Sequence, residues 1–190
     1  MKKRLLLLFI FIYLFILLAA CSSKPPVELI HSTVELKNDK SHLGSMTIMN
    51  GERKGEEVIP TALYYSIRLK NTSWNELGEE DPKNKVTVKI IPSEKLIEAS
   101  REIIGFNIFN SDEYVDSGVG FGESIDGIIP KGKTGKYDIY YELGVQDANQ
   151  SEFKVAPSRE AMGELLKISS DATVVVYEGK KEVARFNLNK

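Results

Sequence analysis

Residues Gly127 to Val145 read GIIPKGKTGKYDIYYELGV and admit two incompatible structures. Gly127–Thr134 fits G-x-x-x-x-G-K-[ST], the phosphate-cradling loop that follows a buried parallel strand and opens a helix. What comes next decides against it. From Lys136 to Val145 apolar and aromatic residues recur at every second position, with Tyr137, Ile139, Tyr141 and Leu143 on one side. That is the period of a half-buried strand, not of a helix. Upstream, Gly120–Asp126 (GFGESID) is too polar for a central parallel strand, and Pro130 removes an N–H from the would-be cradle. The stretch is therefore expected to be a surface turn feeding a core strand, with Gly132 and Gly135 supplying unusual dihedrals. No nucleotide is expected to bind.

The same alternation recurs on both sides of this segment. Val27, Leu29, Val34 and Leu36 mark an opening strand region, and Gly44–Asn50 alternates Met46 and Ile48 before the turn dipeptide Asn50-Gly51. Glu52–Glu57 reads as a solvated loop. Thr61–Lys70 (TALYYSIRLK) sets Leu63, Tyr65, Ile67 and Leu69 on one face and Tyr64, Ser66 and Arg68 on the other. Asn71–Lys85 is a polar loop holding the only tryptophan, Trp74, and Val86, Val88 and Ile90 form a strand ended by Pro92.

The period then changes. Ser93 is placed to cap a helix whose apolar stripe is Leu96, Ile97, Ile103 and Ile104, with Gly105 to close it. Phe106–Phe109 reads as a short strand and Ser111–Gly122 as an acidic, glycine-rich loop. A second short helix begins at Ser158 and runs through Met162, Leu165 and Leu166. Ala172–Glu178 and Glu182–Leu188 then make a hairpin about Gly179-Lys180. Strands that do not alternate with helices predict a mainly β chain, an antiparallel β-sandwich with one or two short helices.

The N-terminus carries the most specific motif. Lys2, Lys3 and Arg4 precede an uncharged apolar run from Leu5 to Leu18, the layout of a secretory leader. Leu18-Ala19-Ala20-Cys21 resembles the lipobox of bacterial lipoproteins. That resemblance implies cleavage after residue 20 and a diacylglycerol on the sulfur of Cys21, the only cysteine in the chain. Residues 21–26 become a lipidated tether and residues 27–190 the folded domain, held at the cell membrane and facing outside the cytoplasm, where nucleotide is scarce. The turn Ile129–Gly135 before an aromatic strand is in turn similar to the loop-to-strand step of small immunoglobulin-like lipoprotein domains. With the cysteine lipidated, no disulfide is expected.

Removing residues 1–20 leaves 22 basic and 27 acidic residues, a formal charge of −5 with no basic block, which argues against nucleic acid. His31 and His42 are the only histidines, so neither a His-rich metal site nor a Ser-His relay in a recognisable motif is expected. Asp112, Glu113 and Asp116, with Gly118 and Gly120, offer hard oxygen ligands to calcium but lack the EF-hand spacing. Tyr64 and Tyr140 fall opposite the core stripes, where exposed rings bind sugars or proteins. The expectation is a non-catalytic binding module without metal or cofactor, recruiting an envelope protein or glycan. An envelope carbohydrate hydrolase with paired carboxylates, or an assembly factor of an envelope complex, is the alternative.

Overall fold

The computed structural model describes residues 24–115, 117–146 and 152–189. The leader, the lipobox with Cys21 and the first tether residues lie outside them, as does Asp116. The deciding stretch is a strand: Thr134–Val145 is extended throughout and buries Tyr137, Ile139 and Tyr141 on one side. In chain order the strands are β1 (Val27–Lys37), β2 (Met46–Thr47), β3 (Glu57–Val58), β4 (Pro60–Asn71), β5 (Val86–Pro92), β6 (Phe121–Ile125), β7 (Thr134–Val145), β8 (Ala172–Glu178) and β9 (Lys181–Asn187). They make a four-stranded sheet ordered β1-β4-β7-β6, a three-stranded sheet ordered β5-β8-β9 and the small ribbon β2-β3, every pairing antiparallel. The chain is mainly β.

One core joins the two larger sheets. Leu63, Tyr65, Ile67 and Leu69 of β4 are fully buried and meet Val86, Val88 and Ile90 of β5 and Val174 and Val176 of β8 in the same cluster. Each such side chain contributes about 1.5–3 kcal/mol on burial, which is what a chain without a disulfide relies on. Helices α2 (Glu94–Ile104) and α3 (Arg159–Ile168) pack on each other and add Leu96, Ile104, Met162 and Leu165 to the cluster. Ser93 caps α2 on Leu96 N–H as the sequence predicts, and Gly105 closes it in the left-handed region; Ser158, expected as the first residue of α3, is instead its cap, on Ala161 N–H.

Several expectations are corrected. A four-residue helix, α1 (Lys40–Leu43), forms because the Asp39 carboxylate accepts the His42 N–H. Phe106–Phe109 is a turn, not a strand. The Ser100 hydroxyl donates to Phe106 O (2.9 Å) and accepts from Ile108 N (3.0 Å), while Glu113 takes Asn107 N–H (2.7 Å), so these backbone groups are occupied by side chains. Ser111–Gly122 is not wholly loop: Ser111–Tyr114 is a 3₁₀ turn, and Phe121 opens β6. As an edge strand paired only to β7, β6 tolerates Gly122, Glu123 and Ser124. Glu57, expected in a loop, pairs with Thr47.

The glycine-lysine turn is confirmed with one change. Gly132 lies at φ 70°, a true left-handed turn residue, whereas Gly135 does not have a positive φ. Gly135 is needed for closeness: a Cβ there would stand 2.8 Å from Ile129 Cγ1 and 3.1 Å from the Tyr137 ring. Thr134 begins a strand where a phosphate loop would begin a helix.

Candidate functional site: a groove between two strand edges

β5 and β6 are edge strands, one on each sheet, and they lie on the same side of the molecule. At one end they are stitched together, Val86 N donating to Gly127 O (2.8 Å), beside the Leu77–Ile129 bridge. Away from that stitch they diverge into a groove of about 640 Å³, within the roughly 300–1,000 Å³ usual for ligand sites. Its floor is Ile108, Phe109, Ile139 and Tyr141, the rings of Phe109 and Tyr141 meeting edge-on at 4.7 Å. Its lips carry Ile91 and Phe121, 44% and 54% exposed.

Both banks present unpaired backbone. Because Val86 turns its N–H away from β8, strand alternation turns the N–H and C=O of Val88 and Ile90 to the same open side. On β6, Asp126 donates to Lys136 O and Gly120 accepts from Glu142 N, both 2.9 Å, so even-numbered residues face β7. Phe121, Glu123 and Ile125 therefore face the groove side. Glu142 fixes this bank. It is 8% exposed, and its Oε2 accepts the Gly120 N–H at 2.6 Å. Burial pushes its carboxyl above the usual range, and the Gly120 N–H only partly opposes that shift. Nothing in the alternation singles out Glu142. Its inward turn follows from a bulge opposite Thr61–Ala62 that buries Glu142, Leu143, Gly144 and Val145 in succession.

Among the described residues lining the groove, Glu123 is the one carboxylate and Lys89 the one cation. No family model, curated protein or solved structure matches the chain. The groove is thus read from its own geometry.

The other residues the sequence points to are placed as follows. Tyr64 and Tyr140 do lie on the outer face, with rings parallel at 6.4 Å. They are not an open platform. Tyr64 is 5% exposed beneath Leu43, with the His42 ring edge-on at 5.6 Å and Lys37 Nζ 4.0 Å from its centroid. Burial first, then the Asp138 charge, pushes the Tyr64 phenol up to about 12. His31 lies exposed on β1, opposite Arg68.

His42 meets Ser41 and Asp39, but not as a relay. The Asp39 carboxylate (2.6 Å) and the Ser41 hydroxyl (3.1 Å) both contact Nδ1, whereas a nucleophile and its orienting acid need opposite ring nitrogens. The trio is a helix cap; hydrogen bonds from Ser41, then His42, draw the Asp39 carboxyl down to about 2. In the acidic loop, Glu113 is engaged by Arg101 (2.9 Å) and by Asn107 N–H, which together with Asn110 hold it at about 2. Among the described residues no three His, Cys, Asp or Glu side chains group as a metal set, and no helix is long and apolar enough to cross a membrane.

Proposed function

We propose that this chain is a lipid-anchored, non-catalytic binding module of the bacterial cell envelope, built on an immunoglobulin-like β-sandwich. With the ribbon β2-β3 set aside and the other seven strands lettered in chain order, the sheets run A-B-E-D and C-F-G. That is the order of constant-type immunoglobulin domains, which supports the finer fold reading. The observation that carries the function is the groove. An apolar floor between two open strand edges suits an extended protein segment, which completes the backbone hydrogen bonds while alternate side chains enter the cleft. A single carboxylate in the groove favours binding over paired-carboxylate hydrolysis, where two acids flank the bond.

Phe121→Asp is expected to weaken partner capture by about 2 kcal/mol, roughly thirtyfold, as loss of an aromatic anchor does. A photo-crosslinking residue at position 91 should yield adducts with a polypeptide. Adducts to glycan alone, or undiminished capture by Phe121→Asp, would count against the reading. The anchor has its own test. Cys21→Ser should abolish incorporation of a labelled fatty acid, since Cys21 is the only thiol. Label retained on the variant would remove the lipoprotein assignment.

A further inference from the structure

The far end of the sandwich from the groove's mouth carries two turns, residues 72–75 and 130–133, which lie side by side. Asn71 N donates to Lys133 O (2.9 Å) and Gly132 N donates to Asn71 O (3.2 Å). Here sits Trp74, 85% exposed and the only tryptophan of the chain. Lys131 Nζ stands 4.8 Å from its ring centroid.

The turn that holds Trp74 out is built from beneath. Asn71 is fully buried. Its Nδ2 donates to Asn75 O and to Ile129 O, both 2.8 Å, and its Oδ1 accepts from Ser73 N (2.8 Å) and Ser73 Oγ (2.7 Å). A buried amide using both its donor and its acceptor to shape one turn fixes the ring outward.

The tether leaves at the same place. Thr72 donates its N–H to Pro26 O (2.8 Å) and its hydroxyl to Pro25 O (3.2 Å). Pro26 lies five residue steps after Cys21, at most about 18 Å when fully extended. A lipid on Cys21 therefore keeps this end within roughly 18 Å of the bilayer surface. The two turns carry Lys131 and Lys133, with exposed Lys24 on the tether beside them, while the acids of the same loop, Glu76, Glu79, Glu80 and Asp81, follow only after residue 75.

We infer that these turns form a membrane-contact surface, with Trp74 seated among the headgroups and Lys131 and Lys133 facing anionic lipid. The inference rests on the anchor proposed at Cys21. An amphipathic ring favours the headgroup layer, and lysines beside it draw anionic headgroups. The eight residues GIIPKGKT thus supply a basic turn toward lipid phosphate in place of a nucleotide cradle. The groove then faces away from the membrane. Phe121 pairs with Tyr141, seven residues along β7 from Thr134 and so roughly 24 Å from the base.

Because Trp74 is the sole tryptophan, its emission reports this contact alone. The mature full chain, extracted from membranes and weighed by mass spectrometry for acyl groups on Cys21, would be placed in vesicles of phosphatidylcholine with and without phosphatidylglycerol. Part of the phosphatidylcholine would be brominated just below the headgroup. Blue-shifted emission quenched by the brominated lipid, more strongly in anionic vesicles, is expected. Lys131→Ala should lower the docked-to-undocked ratio about fivefold. Acylated protein with water-like, unquenched emission would overturn the contact surface and leave the anchor standing. Blue-shifted emission without quenching would mean that protein, not lipid, covers Trp74, and would overturn it equally. No acyl mass on Cys21 would overturn the anchor, and the inference with it.

Discussion

Tyr65→Ala is expected to destabilise the soluble domain by about 3–5 kcal/mol, the range for deleting a buried aromatic ring. Tyr65 is wholly buried in the middle of β4, and its ring meets Tyr141 edge-on at 6.0 Å and Phe109 at 6.5 Å. Its hydroxyl donates to Ser169 O at 2.9 Å, just past α3. One side chain thus joins the four-stranded sheet, the floor of the groove and the end of a helix. Tyr65→Phe keeps the ring and strands the Ser169 carbonyl, and should cost about 1 kcal/mol. Urea melts with unchanged slope would measure both. A Tyr65→Ala cost below that of Tyr65→Phe would contradict the shared core.

The long strands were legible because their chemistry is local. β4 and β7 alternate over ten or more residues, and no other element gives that period with tyrosine, isoleucine and leucine on one side. Helix α2 announced itself through Ser93, which satisfies an orphan N–H group three residues on, and α3 through the spacing of Met162, Leu165 and Leu166. The groove was not legible, because it exists only where Phe121 and Ile91, thirty residues apart in sequence, come to the same side of two different sheets. Asn71 and Trp74 read simply as members of a polar loop. The contacts of Asn71 with Ile129 and Thr72 with Pro26 are long-range, and they turn that loop into the shaped base of the molecule. The outer tyrosines failed for a related reason: alternation gives the side of a sheet but not whether α1 covers it.

Ile139→Ala is expected to cost about 2–5 kcal/mol, because Ile139 is 5% exposed, opposite Tyr65, and its removal leaves a cavity in the shared core. Its neighbour tests the geometry from the other face. Asp138 is not the free, exposed carboxylate that alternation alone suggests. It accepts from Arg68 Nη1 at 2.9 Å and Ser66 Oγ at 2.8 Å, both on β4. Asp138→Ala should therefore cost about 0.5–1 kcal/mol, the upper part of the range for an ion pair that still touches solvent, and still well below Ile139→Ala. The two losses also differ in pH dependence. Burial alone would raise Asp138, but the bonds from Arg68 and Ser66 outweigh it and hold the carboxyl below its ordinary range. A depressed folded-state pKa gives stability above the unfolded value that is lost as pH falls through the folded one. The penalty of Asp138→Ala should thus fade in acid, while that of Ile139→Ala persists. A helix from Thr134 would instead put Ile139 about 200° from Tyr141 and bring Asp138 to Tyr141's side. Equal, pH-independent costs at 138 and 139 would therefore break the strand on which the core, the groove floor and the basic turn all depend.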